Sequence, residues 1–289
     1  MASLKEIKGR ISSVGSTQKI TSAMKMVASA KLRKAQNQIE NFLPYENHLQ
    51  SILTNFLSSE TNFSSPLSTV REVNAVAVVV LSSNSGLCGV FNSNVIHLCN
   101  EVLSEYSHLS QDRIHIYPIG RKVEDALKKE GLEVRGSYIK LMDKPDFEGA
   151  KKIADQLITD FLVKKIDRVE LVYNHFKNTA VQVPRREPFL PLSFDREISK
   201  EHSSFTTDYI VEPDRKSVLD VLIPKTLRSK IYAVLLDSAA AEHGARTMAM
   251  QIATDNAKEL LEELNIQYNK QRQQAITNEL LDIIGGQVH

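Results

Sequence analysis

The 289-residue chain has no Trp, only two Cys and 6% aromatic residues. Cys88 and Cys99 are too few for a disulfide framework, and neither stands in a metal-ligand spacing, so a reducing compartment is the expectation. The longest clean apolar run, the seven residues from Ala75 to Leu81, falls far short of the ~20 that a membrane-spanning helix needs. Eight His are scattered along the chain. Glu242 and His243 in "AAEHGAR" lack a second His four residues away, which removes the metalloprotease spacing, and no Ser-His-Asp or Cys-His pattern stands out. The formal charge of +1 gives no global reason to expect a nucleic-acid partner. With 42% hydrophobic and 25% charged residues, the composition is that of a soluble globular protein, long enough for one large domain or two ordinary ones.

What charge there is lies unevenly. The first forty residues carry eight Lys or Arg against Glu6 and Glu40, a local balance of +6, whereas residues 237 to 289 have a balance of −4. The basic stretch "ITSAMKMVASAKLRKAQNQIE", residues 20 to 40, admits several readings: a nucleic-acid arm, a transit peptide, a membrane anchor or a shaft. No Gly or Pro lies between Ser16 and Leu43, enough for ~42 Å of helix. That is longer than a transit peptide requires. Ile7, Ile11, Val14, Gln18, Thr21, Lys25, Ala28, Leu32, Ala35, Ile39 and Phe42 follow 3-4 spacing and are apolar except at three consecutive positions. Over that gap Ile20, Met24 and Val27 form another stripe, so the buried face rotates there or meets a different partner. Pro44 is a candidate kink, after which the apolar series resumes at Leu49, Ile52 or Leu53, and Phe56.

A Ser/Thr/Asn-rich segment, "SSETNFSSPLSTVREVN", reads as a linker. "AVAVVVL" then reads as a strand buried on both faces. "RIHIYPIG" and "RVELVYNHF" read as further strands, alternating with helices in "SNVIHLCNEVL", in "RKVEDALKKEG" (ended by Gly131) and around residues 149 to 165. "TAVQVPRREPFLPL" offers an edge strand expected to end at Pro184 and Pro188. Past Pro224 and Gly244, the helical pattern runs uninterrupted from Ala245 to Ile284, ~60 Å, with Ala249, Ala253, Ala257, Leu260, Leu264 and Tyr268 as its seam. Globular helices average about twelve residues, so the basic and acidic terminal helices are expected to wind antiparallel around each other. The fold class is therefore a long antiparallel coiled coil carrying a central Rossmann-like parallel α/β domain. The boundaries are 1–58 for the first helix, 59–72 for the linker, 73–208 for the α/β domain and 209–289 for the last helix.

"SSNSGLCG" occupies the place of a phosphate loop between strand and helix. It has neither the Gly-Lys-Ser/Thr ending of a Walker loop nor a three-glycine dinucleotide fingerprint, so a tight turn is the simpler reading. A nucleotide-binding enzyme and a coiled-coil nucleic-acid binder stay open as alternatives; the latter predicts duplex binding that weakens with salt.

Both ends resemble one family. "IKGRISSVGSTQKITSAMKMVASAKLRKAQ" and "ARTMAMQIATDNAKELLEELNIQYNKQRQQAITNELLDII" are similar to the terminal helices of gamma subunits of F-type ATP synthases, and "SGLCG" after a buried strand and "DYIVEPD" before the last helix also resemble that family's. The resemblance implies a non-catalytic rotor, one copy per complex, that turns inside a ring of alpha and beta subunits. Its α/β foot would sit with epsilon on a membrane-embedded c ring driven by proton flow. It implies no cofactor, metal, nucleic acid or membrane insertion, and a place at the cytoplasmic face of a bacterial inner membrane. Met24, Lys25, Arg272, Gln273, Thr277, Glu279 and Asp282 match positions that meet beta, and Tyr209 and Glu212 match contacts with the c ring and epsilon. Two departures stand out: Val90 replaces a glycine usual in the family, and the ending "IIGGQVH" puts His289 where relatives have a small apolar tail.

Overall fold

The computed structural model of the protein describes residues 3–58, 65–192, 211–212 and 214–286. Two helices dominate it. α1 (Leu4–Ser58) has 55 residues and α6 (Arg215–Gly286) has 72, ~80 and ~110 Å at ~1.5 Å per residue. Between them lie β1 (Val76–Leu81), α2 (Phe91–Glu105), a 3-10 turn (Gln111–Arg113), β2 (Ile114–Ile119), α3 (Arg121–Lys129), α4 (Ile139–Asp143), α5 (Phe147–Leu162), β3 (Arg168–Phe176) and β4 (Gln182–Leu190).

The strands form one sheet in the order β2-β1-β3-β4, parallel except for β4, which pairs antiparallel with β3. Every residue of β1 is buried. Val76, Val78 and Val80 face Val95, Cys99 and Val102 of α2 and Val123 and Leu127 of α3. Ala77, Val79 and Leu81 face the opposite cluster, built from Ile153, Leu157 and Phe161 of α5 and from the bases of α1 and α6. A strand covered on both sides has no solvent face to mark with polar residues, which is why its sequence reads as an unbroken apolar run.

The structure differs from expectation at three places. Neither Pro224 nor Gly244 interrupts α6. Leu219, Leu222, Ile223 and Leu227, on either side of Pro224, are all in the main core. Each is worth ~1.5–3 kcal/mol of burial, together more than the ~3 kcal/mol that a proline inside a helix costs. At Gly244 the absent side chain makes room: a Cβ there would stand 2.9 Å from the Phe176 ring. Pro44 likewise leaves α1 continuous, with Leu49, Leu53 and Phe56 anchored beyond it.

β4 also runs through its prolines. Pro184 pairs with Asn174 and Pro188 with Glu170. On an edge strand half of the backbone N–H groups have no ladder partner, so proline is tolerated there.

The third difference lies in the coil itself. The buried face does not rotate onto the Ile20–Val27 stripe, where those two residues are 59% and 58% exposed while Thr21 is 8% exposed. Instead the three polar residues stay in the seam. Thr254 Oγ1 donates to Thr21 Oγ1 at 2.8 Å, and Lys25 Nζ donates to Gln251 Oε1 at 2.8 Å. Nearer the sheet, Leu32 and Ala35 pack on Ala240. The expected antiparallel partnership therefore holds through side-chain packing. Among the described residues no ion pair bridges α1 and α6, so their opposite charges act only at longer range.

Candidate functional site in the shaft and its joint with the sheet

A series of polar contacts ties α6 to the sheet domain. Arg228 Nε lies 2.6 Å from Asp155 Oδ1 of α5, and Lys230 Nζ lies 2.5 Å from Glu187 Oε2 of β4. Asp237 accepts from the Phe176 backbone N–H at 2.9 Å and stands 2.7 Å from His175 Nδ1, both at the end of β3. Burial works to raise the Glu187 carboxyl, but its bonds from Lys230 and Tyr173 outweigh that and hold it below the usual carboxylate range. Leu219 to Ala239 of α6 fill the spaces between these ties with core side chains, and Leu49, Leu53 and Phe56 of α1 join the same core.

Farther along α6, Arg246 clasps the turn between β1 and α2. Its Nη2 donates to Ser85 Oγ at 2.9 Å, to the Ser85 carbonyl at 3.2 Å and to the Gly86 carbonyl at 3.4 Å. Its Nη1 is held by Glu242 at 2.6 Å, and the two side chains are only 11% and 8% exposed. Burial pushes the Glu242 carboxyl up, against the pull of Arg246. Inside the turn, Asn92 Oδ1 accepts from the Ser83 backbone N–H at 3.0 Å, and Leu87 and Gly89 have positive φ. Cys88 and Phe91 pack on Ala241 and Ala245. A phosphate cradle presents N–H groups to an anion; here carbonyl oxygens face a cation, so "SSNSGLCG" is a seat for α6. Beside Arg246, His243 has a buried Nδ1 without a partner among the described residues, and burial, with Arg246 and Lys31 adding to it, lowers its pKa to about 4.

The structure separates the sequence-predicted contact residues into groups. Met24 and Lys25 are half-buried in the middle of the coil, with the Lys25 ammonium already on Gln251. Carrying the Thr21–Thr254 pairing back to Leu4, where α1 begins, reaches only Gln271, so the rest of α6 overhangs its partner. Arg272, Gln273, Thr277, Glu279 and Asp282 all lie on that overhang and are exposed. Ile276, Leu280, Leu281 and Ile283 share it, 49 to 61% exposed. Roughly 39 Å of helix separates Thr277 from Gln251, so these residues form two sites rather than one. Glu212 is exposed just before α6, at the opposite end of the molecule from the overhang. Tyr209 and His289 lie outside the described residues.

Sequence reasoning did not find Arg228, Lys230, Asp237 or Arg246 as joint residues. Their partners stand 43 to 161 positions away in the chain. Only Glu242 and Arg246 carried a signal, the four-residue spacing of a helical ion pair.

The ATP synthase family model matches residues 3–288. Over 286 residues the chain is 56% identical to the ATP synthase gamma chain of Phocaeicola vulgatus, covering 99% of both. To the gamma chain of Flavobacterium johnsoniae it is 45% identical over 287 residues, covering 99% of this chain and 98% of that one. Among solved structures it is similar to a chain in the central stalk and c-ring of Tetrahymena thermophila mitochondrial ATP synthase, with TM-score 0.58 and 25% identity, covering 81% of this chain and 99% of that chain. A chain of the Euglena gracilis mitochondrial ATP synthase shares the fold, with TM-score 0.67 and 19% identity, covering 98% of this chain and 93% of that one.

Proposed function

The chain belongs to the ATP synthase gamma-chain family, and from that premise we propose how its parts divide the work. It is a rotor subunit of the central stalk. The observation that carries the division is the asymmetry of α6, whose base is tied to the sheet domain by charge and core while its tip overhangs α1 without a partner among the described residues. Torque enters through the sheet domain and leaves through the exposed shaft.

On this reading the overhang sits inside a ring of three alpha-beta pairs, with Arg272, Gln273, Thr277, Glu279 and Asp282 against beta subunits. Exposed Ile276, Leu280, Leu281 and Ile283 give the tip an apolar surface for a dry bearing. Met24 and Lys25 meet beta at a second level. An ammonium has three donors, so the bond to Gln251 leaves Lys25 free to engage an acidic partner as well. At the other end, Tyr209 and Glu212 contact epsilon and a c ring turned by proton flow. The chain has no catalytic site of its own and acts as one copy per complex, at the cytoplasmic face of a bacterial inner membrane. Among the described residues no helix is long and apolar enough to cross that membrane, which fits a subunit held there through its partners.

Co-expression with the cognate alpha and beta subunits, followed by native mass spectrometry, tests the reading. One copy per three alpha-beta pairs is expected. A free monomer beside an empty ring, or two or more copies per ring, would overturn it.

A further inference from the structure

A cleft of about 350 Å³ lies where α1, α6 and the β3–β4 edge of the sheet converge. Its volume is within the range of small-molecule sites, and its make-up follows their pattern of an apolar lining with a few polar groups. Ile39 and Phe42 of α1, Phe176 of β3 and Val234 of α6 supply the apolar walls. Three carboxylates also line it, and two are committed. Glu187 holds Lys230 at 2.5 Å and accepts from Tyr173 Oη at 2.7 Å, while Asp237 is engaged by His175 and the Phe176 N–H. Both cations of the lining, Lys230 and Arg185, lie on Glu187, at 2.5 and 3.9 Å. Glu46, from α1, has no hydrogen bond or ion pair among the described residues.

We propose that this cleft is a binding site for a small amphipathic organic cation, an arylalkylamine in chemical class, with its ammonium on the Glu46 carboxylate and its ring among Phe42, Phe176 and Val234. The charge balance selects the sign. Each cation in the lining already has an anionic partner, so an anionic ligand would find no free counter-charge, whereas a cation meets one unpaired carboxylate. Burial raises the Glu46 pKa, with Glu187 and Asp237 adding to the rise and Lys230 opposing it. An arriving ammonium relieves that cost by supplying the missing counter-charge. Phe42 and Phe176 offer ring faces for stacking and cation contact. Because the walls come from both long helices and the sheet, an occupant bridges shaft and domain.

Saturation-transfer NMR and calorimetry on the full-length chain test this, with 4-phenylbutylamine as probe and 4-phenylbutan-1-ol and 4-phenylbutanoate as its neutral and anionic counterparts. The amine is expected to bind saturably and at least tenfold more tightly than either counterpart. Glu46→Gln should remove that preference while the ring still binds. Ala233→Phe, which fills the cleft from α6, should abolish binding of all three compounds, and circular dichroism of each variant establishes that it is folded. No saturable binding of the amine, tighter binding of the carboxylate, or unchanged amine affinity in folded Glu46→Gln would each overturn the proposal.

Discussion

A guanidinium buried beside a single carboxylate, as Arg246 is beside Glu242, leaves that carboxylate uncompensated when it is removed. Arg246→Ala should therefore cost about 3 kcal/mol of stability in urea denaturation. Adding Glu242→Gln should restore part of the loss, because the buried charge then disappears with its partner. His243 gives a separate signal. Its folded pKa of about 4 lies below the ordinary imidazole value, so the unfolded chain takes up the proton first as pH falls. Stability from keeping this ring neutral is complete above pH ~6.5 and declines toward pH ~4. Melting temperatures of His243→Gln across that window should fall less steeply than those of the parent. Glu170 acts in a lower window. Burial favours its neutral form, but bonds from Arg186 and Tyr106, with Arg168 nearby, outweigh burial and lower its pKa. Its contribution is present above the usual carboxylate pKa and lost as pH falls through the depressed one.

Among the elements, the coil seam shows how polar residues can hold a register. Thr21 and Thr254 meet hydroxyl to hydroxyl, close to the Lys25–Gln251 contact, in a seam that Ala28, Leu32 and Ala35 continue. Thr254→Val alone should destabilise the protein by about 1 kcal/mol, the net worth of the lost cross-helix hydrogen bond, while Thr21 Oγ1 keeps its bond to the Gln18 carbonyl. The Thr21→Val/Thr254→Val pair, replacing both partners with similar shapes, should be neutral or raise the melting temperature. Gly244→Val should destabilise despite a poor helix former being replaced, because its side chain has nowhere to go but the Phe176 ring.

Element types were legible from sequence wherever one periodicity dominated. β1 and β3 follow their apolar runs, and the two terminal helices were read as partners from length and seam. Extents were less legible where tertiary packing overrode a local breaker, as at Pro224 inside α6 and at Pro184 and Pro188 inside β4. Of the site, Arg272, Gln273, Thr277, Glu279 and Asp282 were singled out through resemblance because they lie in one contiguous motif, and the structure shows them exposed. The joint could not, because Arg228–Asp155, Lys230–Glu187 and Arg246–Ser85 join residues that only folding brings together.

For the whole molecule, the proposed division puts anchoring and output at different ends of α6. Deleting residues 272 to 286 removes a helix end whose side chains at 272–274 and 276–283 are exposed, so the melting temperature of the isolated chain should change by less than a few degrees. The same deletion should sharply reduce torque in the assembled complex. Cys88 and Cys99 are buried, whereas Val163, at the end of α5, is 65% exposed, so Val163→Cys offers a selective attachment point on the sheet domain. The central claim is tested most directly by fixing the alpha-beta ring to a surface, attaching a bead at that cysteine and adding ATP. Unidirectional rotation of the bead in steps of a third of a turn is expected; a bead that stays fixed to an ATP-hydrolysing ring would contradict a rotor role.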